Sequence, residues 1–396
     1  MDQRILLPAL ALLLVLLGGC NLTTLRHSAE RADARVVHHT TLDEALAEVD
    51  RMPLQVIAGG FKGSLAEAME ALADAQVFFV GESHTHYEDH LIQLAILRAA
   101  HQRYRDIALG VEWFQQDVQK HLDAYIAGRI DEGEMLRRTE YYERWRFDYR
   151  LYRPIMEYAK SNRIPVIALN APVWLTRRIG RDGLKSLSRE ERALLPATME
   201  RDDPVYVKRI REAYEAHGET DQPFENFLSV QLTWDETMAK NAADYLRRHP
   251  ERRLLVFAGT GHIGFRSAIP DRFLRRYAVP SVTITTQNRL PEKAPERGDS
   301  DVVIVGPPLN LEPTGKLGVL VQTENEKVMI SRVLKESGAH RSGIRKGDQI
   351  VRVDGQPILS FADLKLALLH QRPGDSVNVA VKRDDEAARE YQVTLQ

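Results

Sequence analysis

Short apolar runs alternate with helical patterns between residues 38 and 290, and this alternation constrains the fold more than any other feature of the sequence. Each run ends in polar residues or glycine, which is typical of buried strands. A long charged stretch at 186–250 predicts a helical insertion. Strands that alternate with helices predict an α/β domain whose mostly parallel sheet is flanked by helices. The runs are 76–80, 107–111, 164–169, 253–258 and 281–285.

Polar side chains directly follow four of these runs. In a parallel sheet the carboxyl ends of the strands meet at one edge, and open α/β sheets place their binding sites there. We therefore expect these side chains to converge, although they are far apart in the sequence. They are Glu82 and His84 after the first run, Glu112 after the second, Asn170 after the third and His262 after the fourth.

Two carboxylates and two imidazoles in this set provide a first shell for a divalent transition metal. A metal-bound water would be a nucleophile near neutral pH. Without a metal, a glutamate could act as a general base beside a histidine. The predicted metal ligands, which are also the predicted catalytic residues if the chain is an enzyme, are Glu82, His84, Glu112 and His262.

Two further histidines, His86 and His90, are four residues apart and would share one face of a helix. Histidines at this spacing can chelate a metal ion. The alternative is that His86 caps the helix and that His90 faces solvent or packs locally.

The segment 141–153 is unusually rich in aromatic residues and arginines. Aromatic faces could stack on a flat ligand, and the arginines could bind its carboxylates. A tyrosine phenolate can also ligate haem iron. The alternative is a helix whose aromatic residues pack in the core and whose arginines are solvated. The candidate haem ligands are Tyr141, Tyr142, Tyr149 and Tyr152.

Four segments together resemble the ChaN-like family over about residues 40–290: 81–84, 112–114, 169–172 and 259–262, with 269–272 downstream. The resemblance implies a bacterial surface lipoprotein that binds haem and takes part in iron uptake. The family belongs to a superfamily with the Tiki metalloproteases and erythromycin-esterase-like proteins, which share a Glu/His cluster. Two chemistries therefore stay open, namely haem capture with iron held by a tyrosine and metal-dependent hydrolysis of a peptide or ester.

From about residue 302 the pattern changes to short strands with turn signals. Residues 316–321, 342–350 and 353–358 resemble the carboxylate-binding loop and the most recognisable segment of PDZ domains. The resemblance implies that a peptide adds as a strand beside the loop. The alternative is that this domain only packs against the first one or holds a partner internally. The predicted peptide-binding residues are Leu317, Gly318 and Val319 in the loop and Leu364 and Leu368 on the groove helix, with Leu366 or Leu369 in the core.

The amino-terminal segment predicts export. The apolar run 6–17 is too short to span a bilayer as a helix, and with Arg4 before it and small residues after it fits a signal peptide at 1–19. Leu-Gly-Gly-Cys at 17–20 resembles the bacterial lipobox, so Cys20 is the predicted lipidation site. Several acyl chains on one residue give lasting membrane anchorage. Asn21 favours the outer membrane of the cell envelope.

The predicted order is therefore a lipidated tether at 20–37, a ChaN-like domain at 38–290, a linker at 291–301 and a PDZ-like domain at 302–396. The net charge of −2 argues against nucleic acid as a partner. A single cysteine excludes a disulfide within the chain. The expected partners are membrane lipid and a peptide or protein carboxyl terminus. A flat ligand shared between two subunits would make a homodimer, and a non-catalytic scaffold is a further alternative.

Overall fold

The computed structural model describes residues 34–58, 61–104, 106–216, 218, 221–288, 300–384 and 386–396. The predicted signal peptide and Cys20 lie outside the described residues, as does most of the predicted linker, so these assignments stay predictions. Within the described part of the chain, no helix has the length and apolar character needed to cross a membrane.

The strands and helices follow one another along the chain as the alternation predicts. The strands are β1 (Arg35–Val37), β2 (Gln55–Ala58), β3 (Phe61–Gly63), β4 (Val77–Glu82), β5 (Ile107–Gln115), β6 (Val166–Asn170), β7 (Arg253–Gly259), β8 (Ser281–Gln287), β9 (Val302–Val305), β10 (Leu309–Leu311), β11 (Val319–Glu324), β12 (Lys327–Val333), β13 (Gln349–Val353), β14 (Gln356–Pro357), β15 (Ser376–Lys382) and β16 (Arg389–Thr394). The α-helices are α1 (Leu42–Arg51), α2 (Leu65–Ala71), α3 (Tyr87–Tyr104), α4 (Gln119–Ile126), α5 (Glu132–Arg138), α6 (Tyr141–Arg144), α7 (Arg153–Ser161), α8 (Val173–Asp182), α9 (Arg189–Arg192), α10 (Pro204–Ala216), α11 (Phe224–Arg248), α12 (Thr260–Ile263), α13 (Ile269–Arg276), α14 (Gly338–Arg341) and α15 (Phe361–Ala367).

The first domain is built on an eight-stranded sheet in the order β3-β2-β9-β8-β4-β7-β5-β6. The run from β9 to β6 is parallel, while β2 pairs antiparallel with β3 and β9. Every residue of β4 and β5 is buried, as expected for parallel strands covered by helices on both faces. The predicted α/β class with a mostly parallel sheet is confirmed.

Successive residues of β4 point to opposite faces of the sheet and enter different cores. Phe78 packs in the larger cluster with α3 and α7, whereas Phe79 packs in a second cluster with Met238 of α11 and Phe273 of α13. The site edge of the sheet is therefore enclosed between α11 on one side and the segment around α6 on the other.

The boundary between the domains differs from the prediction. The run Val302–Val305, assigned above to the PDZ-like domain, is β9 of the large sheet and lies between β8 and β2. Arg35–Val37, assigned to the tether, is β1 and pairs with β10. All four residues of β9 are buried, as in a central strand. A short apolar run predicts burial but does not reveal which sheet will bury it.

The second domain is an antiparallel sheet in the order β11-β12-β13-β15-β16, with β14 paired to β13 and α15 beside β11. Its core is separate from those of the first domain and includes Leu317, Ile350 and Leu364. This antiparallel, β-rich architecture confirms the predicted fold class of the C-terminal region.

The groove helix α15 packs against the first domain with the face opposite the PDZ core. Ala362 is buried in the larger core of the first domain, and Leu366 packs on the same cluster. The rings of Phe361 and Tyr142 meet edge to face at 6.5 Å. Leu364, predicted to line the groove, is instead buried in the PDZ core. Of the two residues predicted as alternatives for that core, Leu366 contacts the first domain and Leu369 is buried. A rotation of α15 by half a turn would exchange its face toward the PDZ core with its face toward the first domain. The spacing of apolar residues in the sequence does not determine this rotation.

Candidate functional site

Three predicted side chains meet at the carboxyl edge of the large sheet. Glu82 ends β4, His84 follows it, and Glu112 lies in β5, with β7 between the two strands. One ligand atom from each of the three lies within 4.8 Å of the other two. The His84 ring nitrogen Nδ1 is hydrogen-bonded to Oε1 of Glu82. The backbone N–H of Gly259 donates to Oε2 of Glu112 at 2.7 Å, which fixes this carboxylate across the end of β7.

His262 completes the edge and is oriented from behind by a carboxylate. Its Nε2 lies 3.4 Å from Oε1 of Glu112, and its Nδ1 lies 2.6 Å from Oδ1 of Asp235 in α11. Tyr206 donates its hydroxyl to the other Asp235 oxygen at 2.6 Å. A histidine that donates one ring N–H to a carboxylate presents its other nitrogen as a ligand or a base.

The electrostatics keep the buried carboxylates charged. Burial raises the pKa of Asp235, but His262, Arg272 and Tyr206 together hold it below its ordinary value. In the same way, burial raises the pKa of Glu82, but His84, His90 and His86 together hold it below its usual range. Oε2 of Glu82 is buried and has no hydrogen-bond partner among the described residues. A buried carboxylate oxygen that lacks a hydrogen bond and lies 3.9 Å from Nε2 of His90 is a candidate ligand for a cation.

His84, Glu112 and His262 form one end of a small pocket. Its aromatic walls come from opposite sides of the edge. Trp145 and Phe147 contact the His84 ring, with centroids 5.0 Å and 4.9 Å away. Trp234 of α11 contacts the His262 ring at 6.2 Å. The lining includes His84, Glu112, Gln115, Arg144, Trp145, Phe147, Asn170, Gln231, Trp234 and His262.

Three arginines, Arg144, Arg146 and Arg177, lie close enough to one another for their charges to interact. Arg144 lines the pocket and is paired with Asp117 at 2.8 Å. Burial lowers the pKa of Arg177, and the charges of Arg146 and Arg144 lower it further. Guanidinium groups that repel one another in this way favour the binding of an anion, and arginine binds carboxylates in a bidentate geometry.

The four predicted haem tyrosines do not reach this pocket. Tyr141, Tyr142, Tyr149 and Tyr152 are buried in the larger hydrophobic core, where they pack edge to face on one another and on neighbouring aromatic rings. Burial raises their pKa values well above the usual range, so the phenolate form is disfavoured. The sequence-based prediction that these tyrosines contact haem in the pocket is therefore corrected, because the tyrosines of this segment pack in the core. The same segment contributes Trp145 and Phe147 to the pocket instead.

Sequence reasoning missed Asp235, Tyr206 and Trp234. Asp235 is buried in the middle of the long helix α11, where the sequence pattern gives no sign that it differs from the exposed acids around it. His90 packs locally, with its ring 4.4 Å from that of Tyr152. Its Nε2 lies 3.2 Å from the His84 carbonyl oxygen, so it supports the His84 backbone. His86 turns to a separate acidic cluster.

In the second domain, the loop predicted to bind a carboxylate is held in place by hydrogen bonds to two of its carbonyls. The carbonyl of Leu317 accepts a hydrogen bond from the Ala339 N–H at 3.0 Å, and that of Gly318 accepts one from Leu334 at 2.9 Å. Gly318 has a φ of +78°, a conformation that residues with a Cβ rarely adopt. Val319 of β11 is half-buried beside the groove and packs on the PDZ core, as does Leu368 after α15.

Comparison with protein-family models gives two matches. Residues 68–273 match the model described as "Haem-binding uptake, Tiki superfamily, ChaN", and residues 315–395 match the PDZ domain model. Among solved structures, "Cofacial heme binding to ChaN of Campylobacter jejuni" aligns with a TM-score of 0.52 and 15% identity, covering 64% of this chain and 96% of that one. At this identity the likeness shows the fold.

Two curated proteins share shorter segments. Protein RETICULATA-RELATED 5, chloroplastic, of Arabidopsis thaliana is 30% identical over 132 residues, which are 32% of this chain and 18% of that protein. The periplasmic pH-dependent serine endoprotease DegQ of Escherichia coli (strain K12) is 35% identical over 66 residues, which are 17% of this chain and 14% of DegQ. The matches thus span less than a fifth of these relatives.

Proposed function

Because the chain belongs to the ChaN family of haem-binding uptake proteins in the Tiki superfamily, we propose that its pocket binds haem and that its PDZ domain binds the carboxyl terminus of a partner protein. The observation that carries the first part is the combination found in one pocket: aromatic walls, the guanidinium of Arg144 and an imidazole–carboxylate end. The Campylobacter structure is described as binding haem cofacially. We carry over the ligand from that protein as a proposal.

The residues present fit haem in three respects. Trp145 and Trp234 offer flat apolar faces, as haem pockets require. Arg144, which lines the pocket, and the neighbouring Arg177 suit the two carboxylates of the porphyrin edge. His262 is the best-suited iron ligand, because Asp235 holds its Nδ1 and leaves Nε2 toward the pocket. Bound iron would supply the affinity that apolar stacking alone lacks.

Haem titration of the full chain, followed by absorbance, tests this proposal. We expect saturable binding that His262→Ala weakens at least tenfold and that changes the spectrum of the bound haem, because the axial ligand is lost. Arg177→Gln should weaken binding by a smaller factor without altering the spectrum, since it acts on the carboxylates. Tyr149→Phe is the matched control, because its ring is fully buried in the core, and it should leave both affinity and spectrum unchanged.

Two outcomes would overturn the proposal in different ways. If neither the wild type nor any of the variants binds haem saturably, the pocket has another ligand. If Tyr149→Phe or a neighbouring Tyr→Phe change removes the spectrum while His262→Ala retains it, a tyrosine is the iron ligand and the core must open to bind haem.

A second candidate function is metal-dependent hydrolysis, with the PDZ domain presenting a peptide substrate. The specific observation in its favour is the compact set of Glu82, His84 and Glu112 ligand atoms within 4.8 Å. A divalent metal held there would supply Lewis-acid chemistry. The protein's own part would be His262, whose Nε2 can hold a proton while Asp235 stabilises the charged ring. Metal content and peptide hydrolysis that are both lost in His84→Ala, without any haem binding in the wild type, would favour this function.

We further propose that the two binding sites communicate, because one short segment touches both. At one end, the Tyr142 ring of α6 contacts Phe361 of the groove helix. The Lys365 ammonium of the same groove helix lies 5.7 Å from the centroid of the Tyr142 ring. At the other end, Trp145 contacts His84. Helix α15 also forms one wall of the peptide groove. A bound peptide would therefore alter the contact between α15 and α6, the helix that directly precedes Trp145 of the haem pocket.

Helix α6 has the backbone features of a segment that can switch. Glu140 before it has a φ of 50°, and Arg146 after it has a φ of 71°. Left-handed backbone at residues other than glycine costs about 1–3 kcal/mol at each position and persists only where the surroundings enforce it. A change in packing at either end could therefore alter the position of this one-turn helix.

This coupling predicts reciprocal affinities. A fluorescein-labelled decapeptide ending in a free valine carboxylate should change the haem affinity of the full chain about 3- to 10-fold at saturation, and haem should change the peptide affinity by the same factor. Phe361→Ala should reduce the factor to near one, because it removes the contact with Tyr142. Leu359→Ala is the matched control, since Leu359 precedes the same helix but is half exposed. Equal haem affinities with and without the peptide would refute communication while leaving each site intact.

A further inference from the structure

A second cluster of ligand-type side chains lies at the start of α3. It consists of His86, Glu88 and Asp89, whose ligand atoms lie within 4.8 Å of one another. Each of the three is more than nine-tenths buried. The haem proposal makes no use of these residues, and none of them lines the pocket described above.

The distances within the cluster are those of ligands that share an ion. Nδ1 of His86 lies 3.8 Å from Oε1 of Glu88 and 3.9 Å from Oδ2 of Asp89. These separations are too long for hydrogen bonds. Two ligands that are each about 2.1 Å from one metal ion lie about 3.4 Å apart at a tetrahedral angle and at most about 4.2 Å apart. A small closure of the cluster would bring all three into coordination.

Both carboxylates are already fixed from the outside. The backbone N–H of Ser83 donates to Oδ2 of Asp89 at 2.8 Å, and that of Leu309 donates to Oε2 of Glu88 at 3.1 Å. Second-shell bonds of this kind orient metal ligands. The contact with Leu309 is also the link between α3 and β10, the strand that leads into the PDZ domain.

Asp89 supplies the independent sign of a missing ligand. Its Oδ1 is buried and has no hydrogen-bond partner among the described residues. A buried carboxylate oxygen without a hydrogen bond is destabilising unless a proton or a cation compensates it. The adjacent imidazole and second carboxylate favour the cation.

We propose that His86, Glu88 and Asp89 bind a divalent transition-metal ion at a site separate from the pocket. One imidazole with two carboxylates is a ligand set suited to Mn²⁺, Fe²⁺ or Zn²⁺. The two carboxylates neutralise the ion, and the ion ties the start of α3 to the segment that enters the PDZ domain. The site does not depend on what the pocket binds.

Manganese loading of the chelator-stripped full chain tests this site. Wild-type protein should bind one equivalent of Mn²⁺ more than Asp89→Asn, measured by elemental analysis after desalting. Saturating Mn²⁺ at about 100 times its Kd should raise the Tm of the wild type by roughly 5–10 °C, and this rise should be absent in Asp89→Asn. Asp74→Asn is the matched control, because this exposed carboxylate belongs to neither ligand cluster and the variant should retain both the rise and this equivalent of Mn²⁺.

The competing explanation is a proton shared between the two carboxyl groups. In that case Asp89→Asn would match or exceed the metal-free wild type in Tm, and Mn²⁺ content would be equal in both, which would overturn the proposal. If Asp89→Asn fails to fold, His86→Ala gives the same comparison without disturbing the bond from Ser83. Loss of the extra Mn²⁺ in His86→Ala supports the site, and its retention refutes it.

Discussion

Arg272→Met is expected to lower the free energy of unfolding by about 3–5 kcal/mol, because it breaks an ion pair that is fully enclosed. Arg272 has no exposed surface, and its Nε lies 3.1 Å from Oε1 of Glu236, which is also buried. Its guanidinium lies over the Tyr206 ring at 4.0 Å. Methionine fills part of the volume but leaves Glu236 with less compensation. Urea denaturation of the full chain, followed by tryptophan fluorescence, measures the change.

The double variant Arg272→Met/Glu236→Gln separates charge from packing. Removing both charges should recover part of the lost stability, since the main penalty is an uncompensated buried carboxylate. The recovery should be incomplete, because Arg276 also contacts Glu236 at 2.5 Å and would lose its partner. A loss below about 1 kcal/mol in the single variant would mean that water or Arg276 takes over the charge of Glu236.

Gly318→Ala is expected to lower the affinity for the peptide by more than tenfold. A Cβ at this position would lie 2.1 Å from Cβ of Ser337, so the loop must move. The positive φ of +78° adds strain for any residue with a Cβ. Because the backbone of this loop is the predicted binding surface for the terminal carboxylate, displacing it removes the site itself. Fluorescence anisotropy with the valine-terminated decapeptide measures the affinity, and its amidated form tests the role of the carboxylate.

Gly355→Ala is the matched control for this loop. Gly355 has the same φ of +78°, but a Cβ there would meet no atom within 4 Å. It should therefore carry the conformational strain without the clash, and peptide affinity should stay within about twofold of the wild type. Equal binding by Gly318→Ala and Gly355→Ala would show that the loop does not hold the carboxylate.

The convergence of the site edge could be predicted because it follows from topology. Glu82 ends β4 and His262 lies shortly after β7, and parallel strands that alternate with helices bring such positions to one edge. The ChaN-like and PDZ resemblances also rested on local residues, such as the Gly318 loop, and both are confirmed by the family models.

Other parts of the site depend on contacts between distant segments. Asp235 looks like any other acid in a long helix until α11 crosses the edge and brings it 2.6 Å from His262. The tyrosines of 141–152 have the composition expected of a haem site, but they lie in the hydrophobic core. Burying a large aromatic ring in the core is more favourable than leaving it exposed at the mouth of a pocket. In the same way, the apolar run of β9 predicts a strand but does not indicate which of the two domains contains it.

The sequence by itself determined the α/β class, the PDZ-like domain and the residues at the ends of the strands, because these follow from the period of apolar residues and from local backbone requirements. Only the tertiary structure decided that β9 joins the large sheet, that Asp235 orients His262, that Trp145 rather than a tyrosine reaches the pocket, and that α15 docks on α6. Those outcomes depend on which of several apolar or charged surfaces pair across long separations, and nearly equal local patterns leave that choice to the packing of the whole chain.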